Sequence, residues 1–144
     1  MHINFYQTND ILHKSIAPIL MRILEEKKRA LIFCKNEELI RQIDDGLWSF
    51  SKTKFIPHGT LEDKIKAENQ PVFISNQEEN SNNSSYLIML DQAEDDFIRK
   101  FEKSFYFFGD QNLQESKNLW RYYKSKSANL NFYKKDQDKW ICIQ

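Results

Sequence analysis

Lys117, Arg121 and Lys124 recur at i, i+4 and i+7, the spacing that gathers side chains on one stripe of a helix. Trp120 and Tyr123 flank that stripe. Cationic donors can grip carboxylates, Arg with a bidentate fork. An indole beside them offers an apolar wall to a side chain such as Phe. Three readings fit these residue types. The stripe is a solvated basic face with Trp120 tucked into the core, or it takes an acidic peptide or its free C-terminal carboxylate, or it stacks single-stranded nucleic acid. The charge distribution points the same way. Lys and Arg balance Asp and Glu at 21 each, yet residues 1–116 carry net −5 and residues 117–144 net +5. Six basic and no acidic residues stand within 117–135. Such an asymmetry calls for an acidic partner or a solvated basic tail.

Catalytic equipment is sparse. Cys34 ends an apolar run, where α/β enzymes often place reactive groups, and His58 is its one conceivable base. Nothing in the sequence brings them together, and free Cys is among the most buried residue types, so an inert core Cys34 is the preferred reading. Asp91 is the best-placed single acid and has no partner. His2, His13 and His58 are scattered, with no HxxE, HxH or CxxC spacing, so no metal site is expected. The three glycines stand far apart, and neither GxGxxG nor GxxxxGK[ST] can be written. A nucleotide-phosphate loop is therefore excluded, and no cofactor is expected. Two cysteines are too few for a disulfide framework. No apolar run approaches the ~18 residues of a membrane span. These features read as a reduced, cytoplasmic protein with no membrane contact.

A second surface is suggested between Leu47 and Leu61. Trp48, Phe50, Phe55, Ile56 and Leu61 are more large apolar groups than a short connection normally holds. Part must be core, and part can be an exposed patch of the kind that marks a partner surface. His58 is read as fixing the turn through a ring N–H to backbone carbonyl bond.

The elements that must position these residues follow from periodicity. Residues 3–6, 30–34, 55–59, 71–75, 86–90, 105–108 and 130–133 read as strands, the last at a sheet edge. Leu12, Ile16, Leu20, Ile23 and Leu24 mark a first helix, capped by Asn9 or Asp10. A second helix follows Asn36, a short one holds Phe97 and Phe101, and a last one spans about 111–126. Residues 61–68 are ambiguous, Trp140 and Ile141 fall in a short tail, and 75–85 is a polar loop expected to be mobile. The alternation predicts one α/β domain over residues 1–144. It is a three-layer fold with a mainly parallel open sheet and helices on both faces, Rossmann-like without a phosphate-binding loop.

Several strings together resemble the chi subunit family of bacterial DNA polymerase III. They are Ala30-Leu31-Ile32-Phe33-Cys34 with Glu37-Glu38, then Leu47-Trp48-Ser49-Phe50, and Phe55-Ile56-Pro57-His58-Gly59 about five positions on. Pro71-Val72-Phe73-Ile74, Tyr86-Leu87-Ile88-Met89-Leu90 and Trp120-Arg121-Tyr122-Tyr123-Lys124 extend the likeness over nearly the whole chain. The resemblance implies a non-catalytic accessory subunit. It would link the clamp-loader assembly to single-stranded-DNA-binding protein by gripping that protein's acidic C-terminal tail. By position, it places tail binding on Lys117, Trp120 and Arg121, with Lys124 on the same stripe and Tyr106 as an apolar wall. It places contact with a psi subunit, or another clamp-loader subunit, near Trp48, Phe55, His58 and Leu61. Direct single-stranded DNA binding by the basic C-terminal segment is the alternative, with a weak or indirect DNA contact the lesser form. The chain departs from the family pattern in two places. Lys117 stands where an Arg is usual, keeping the charge and losing the fork. Ser125-Lys126-Ser127-Ala128 stands where the turn after the last helix usually has a Gly.

Overall fold

The computed structural model describes residues 1–50, 56–63, 65–136 and 139–144. Its strands are β1 (His2–Gln7), β2 (Ala30–Phe33), β3 (Gly59–Thr60), β4 (Val72–Ser75), β5 (Tyr86–Met89), β6 (Lys103–Phe108), β7 (Asn129–Asp136) and β8 (Lys139–Cys142). The helices are α1 (Leu12–Glu25), α2 (Glu37–Trp48), α3 (Asp95–Ile98) and α4 (Leu113–Ser125). The strands form one sheet in the order β3-β4-β2-β5-β6-β1-β7-β8. Every neighbouring pair is parallel except β7 with β8.

Side chains alternate across each strand, so two apolar layers form. Tyr6, Ile32, Ile74, Ile88, Phe105 and Phe107 pack with α1 and α2 on one face. Phe5, Leu31, Phe33, Phe73, Leu87 and Tyr106 pack with α3 and α4 on the other. Strands β2, β4 and β5 are covered on both sides, which is why their sequences read as unbroken apolar runs. This is the expected α/β architecture with a mixed, mostly parallel, Rossmann-like sheet. No helix among the described residues is long and apolar enough to cross a membrane.

Three local expectations are corrected. β7 is not an edge strand, because it lies between β1 and β8. The supposed tail at Trp140 and Ile141 is β8, which pairs Lys135 with Trp140 and Lys134 with Ile141. Neither Asn9 nor Asp10 caps α1: Asn9 instead accepts from the Asp110 N–H and donates to its carboxylate, both at 3.1 Å. The stretch before β4, read as ambiguous, includes one 3-10 turn among the described residues, Ala67–Asn69.

The polar loop after β4 is well anchored. Asn82 is fully buried and donates to the Ala30 and Gln70 carbonyls at 3.1 and 3.0 Å. Ser84 donates back to the Asn82 side chain at 2.6 Å. Satisfied amide networks of this kind hold a polar segment as firmly as apolar packing does.

Glycine scarcity shows at two helix ends. α1 and α4 both close with a paired 6→1 and 5→2 arrangement: Lys28 N–H to Ile23 O with Lys27 N–H to Leu24 O, and Ala128 N–H to Tyr123 O with Ser127 N–H to Lys124 O. The pivot residues are Lys27 and Ser127, each at φ 59°. The left-handed turn that Gly usually makes after the last helix is thus made by Ser127, at a conformational cost of about 1–2 kcal/mol.

Candidate peptide-binding groove

α4 turns two kinds of surface outward from one sequence. Ser116, Leu119 and Tyr123 are buried against the sheet, with Leu113 and Trp120 half-buried beside them. Lys117, Arg121 and Lys124 fall on the adjoining exposed stripe. Below the helix, strand register lays aromatic side chains side by side. Phe5 sits opposite Tyr106 on β6 and opposite Phe132 on β7. Two residues along, on the same face, Gln7 lies opposite Phe108. The Trp120 indole stands edge-on to Phe5 at 5.2 Å and to Phe132 at 6.1 Å between centroids.

Between helix and strands runs a groove of about 350 Å³. Its walls are Phe5, Phe108, Trp120 and Phe132, its cationic rim is Lys117 and Arg121, and Gln7 and Gln144 line it as well. No acidic side chain among the described residues lines it. Among the described residues, ion pairs engage Lys28, Arg41, Arg99 and Lys135, and none engages Lys117 or Arg121. No side-chain carboxylate among the described residues thus pairs with the rim charges beside this apolar cleft. That combination favours an anionic ligand with an apolar end.

Of the residues the sequence placed here, Lys117, Trp120 and Arg121 converge on the groove. Lys124 is exposed but does not line it. Tyr106 is 3% exposed and lies behind Phe5, with ring centroids 5.2 Å apart, so it supports the wall instead of forming it. Sequence reasoning missed Phe5, Phe108 and Phe132 as the wall. Their meeting depends on parallel register between β6, β1 and β7, and adjacent aromatic residues in all three strands were the available hint.

The second surface lies on the opposite face, at the β3 edge. Trp48 and Leu61 are 53% and 52% exposed. His58 is buried beneath Trp48, with ring centroids 4.7 Å apart. His58 Nδ1 is 2.7 Å from the Ile56 carbonyl, and Nε2 is 2.8 Å from the Asp44 carboxylate. The expected turn-fixing bond is present, and Asp44 adds a tie to α2. Phe55 lies outside the described residues.

These bonds also bear on the catalytic candidates. Both His58 ring nitrogens are engaged, so His58 is not available as a base for Cys34. Burial pushes the Cys34 thiol up to about 11, and the nearby Asp91 carboxylate pushes in the same direction. Both effects disfavour the thiolate that a nucleophile needs. Asp91 accepts the Lys35 N–H at 2.6 Å, a structural use of its carboxylate.

The family model of DNA polymerase III chi subunit, HolC, matches residues 1–131. The chain belongs to the DNA polymerase III chi subunit family. A relative from Rickettsia prowazekii (strain Madrid E), named "Probable DNA polymerase III subunit chi", is 26% identical over 86 residues, covering 60% of this chain and 52% of the relative. The chain thus spans about half the length of the curated relative it matches. Among solved structures, the S. cerevisiae Dbp5 C-terminal domain is similar with a TM-score of 0.61 at 11% identity, over 92% of this chain and 90% of that one. That likeness is one of fold. Family membership agrees with the structural, non-catalytic use of Cys34, His58 and Asp91 in this chi-family chain.

Proposed function

We propose that this chain is a non-catalytic accessory subunit of the DNA polymerase III holoenzyme that docks the acidic C-terminal tail of single-stranded-DNA-binding protein in the α4 groove. The tail's last apolar side chain enters between Phe5, Phe108, Trp120 and Phe132, and its carboxylates meet Lys117 and Arg121. Lys124, one turn on, adds attraction at longer range. The observation that carries this reading is the pair of rim cations, Lys117 and Arg121, on an aromatic cleft where no acidic side chain among the described residues meets them.

Trp48 and Leu61, with His58 beneath Trp48, serve as the contact toward a psi or other clamp-loader subunit, and Phe55 is assigned to the same contact. Five strand steps separate β3 from β1, and at ~4.8 Å per step this is roughly 24 Å across the sheet. Two partners can therefore be held at once, as a linker in the cytoplasm between the clamp loader and the DNA-coating protein requires.

The basic C-terminal segment also suggests direct binding of single-stranded DNA. Its cations do not form one track, however. Lys135 is paired with Asp10 at 2.8 Å and stands over Trp140, while Lys126 stands over Tyr122. A nucleic-acid stripe needs its cations free and aligned.

Calorimetric titration separates the readings. A peptide ending in acidic residues plus Phe binds near micromolar, about −8 kcal/mol. Its C-terminal amide binds at least tenfold more weakly. Equal affinity of acid and amide, or displacement of the peptide by oligo-dT at low peptide occupancy, overturns the tail assignment.

A further inference from the structure

Phe132 has an unusual support. Its N–H donates to the Gln144 carbonyl at 2.8 Å. Its own carbonyl accepts from the Ile143 N–H at 2.7 Å and the Gln144 N–H at 3.4 Å. Both main-chain polar groups of this wall residue are thus satisfied by the segment after β8, and Gln144 itself lines the groove. Phe132 onward lies outside the span matched to the family. The Ile143 side chain is 53% exposed, so what it supplies to this contact is its N–H. The ring of Phe132 meets Phe108 at 5.9 Å and Trp120 at 6.1 Å. It therefore forms the side of the cleft on the β7 flank, facing the wall made by β1 and β6.

We infer that the segment Ile143–Gln144 is a specificity element of the groove: it fixes Phe132 as the wall against which the ligand's terminal apolar side chain is selected. The inference rests on the tail-binding reading and adds to it a division of labour. Lys117 and Arg121 attract any acidic C-terminal peptide. The Phe132 wall, held by Ile143 and Gln144, distinguishes an aromatic last residue from a small one. A wall residue with both backbone groups bonded keeps its ring in one place, and such preorganisation favours a ligand shaped to fit it. Without these bonds, the N–H and C=O of Phe132 face solvent at the sheet margin, and the ring loses its fixed position.

The test uses two peptides that differ only in the last residue, one ending in Phe and one in Ala, titrated into the full chain. Wild type binds the Phe peptide at least tenfold more tightly. Ile143→Pro removes the N–H that Phe132 accepts and brings the two peptides within about twofold of each other, with affinity for the Ala peptide unchanged. Ile143→Val retains the N–H and restores the preference. Phe132→Leu, which leaves the backbone intact, also narrows the preference, so the result does not depend on the proline variant alone. Arg121→Glu weakens both peptides alike. If Ile143→Pro and Phe132→Leu keep the full preference for Phe while Arg121→Glu loses both peptides, the specificity element is overturned and the tail site stands. Failure of wild type to bind either peptide overturns both.

Discussion

The groove under α4 and the patch around Trp48 expose aromatic surface by opposite means. The groove is assembled from distant parts of the chain: β1, β6, α4, β7 and Gln144 after β8 each contribute a lining residue. It is concave, aromatic inside and cationic at the rim. The patch is assembled from one neighbourhood, α2 and the strand that follows, with Trp48 and Leu61 projecting and His58 locked beneath Trp48 by Asp44 and Ile56. A concave site with a cationic rim specifies the chemistry of its ligand. A projecting apolar patch specifies only that something covers it. That difference is why the groove supports a ligand class on physical grounds, while the patch's partner rests on family membership.

The comparison can be broken by substitutions that should separate the two regions. Arg121→Glu replaces a carboxylate-binding fork with a repelling charge. Loss of a charge-assisted hydrogen bond alone is worth about 1.5–3 kcal/mol. Acidic-peptide affinity should fall by a hundredfold or more, while retention on clamp-loader subunits in co-purification is unchanged. Trp48→Ala should give the reciprocal pattern. A buried interface Trp is typically worth about 2 kcal/mol, so retention falls roughly thirtyfold and peptide affinity stays within twofold. A shared effect of either substitution on both partners would contradict two independent surfaces.

Smaller changes sharpen the comparison. Asp44→Asn removes the charged acceptor facing a fully buried imidazole, at about 1–2 kcal/mol. Thermal unfolding should drop by roughly 2–8 °C, with peptide binding at the groove unaltered. Ser127→Gly relieves the left-handed turn after α4. It should raise the midpoint by roughly 2–4 °C, about 1 kcal/mol, and change neither surface. Lys117→Arg restores the fork on the rim, and peptide affinity should rise only a few-fold. If it weakens binding, Lys117 acts through its compact charge and not through a carboxylate grip.

How much of this could be read from sequence differs between the same two regions. Apolar runs such as Ala30–Phe33 and Val72–Ser75 declared a buried parallel sheet, because strands covered on both faces have no polar side to show. The stripe Lys117, Arg121 and Lys124 was legible from helical spacing, with Trp120 on its flank. The choice of Lys117, Trp120 and Arg121 as the site came from the family resemblance. The groove's aromatic wall was not legible. Phe5 and Phe132 are 127 positions apart and meet only through the pairing of β1 with β7. Tyr106 was placed as the wall by the family resemblance; it shares the sheet face of Phe108, yet packing buries it behind Phe5. β8 escaped notice since Trp140 and Ile141 lack a long alternating pattern and depend on β7 for a partner. The loop after β4 read as a mobile polar segment, and the ties that Asn82 makes to the sheet end on backbone carbonyls, which have no sequence signature.

The most direct measurement is a backbone amide NMR titration of the full chain with a free-acid peptide ending in acidic residues plus Phe. The account predicts saturable shifts at Lys117, Trp120 and Arg121, at Phe5 and Phe132, and at Ile143 and Gln144, with Trp48, His58 and Leu61 unmoved. Shifts centred on Trp48 and Leu61, or none at all at millimolar peptide, would contradict it.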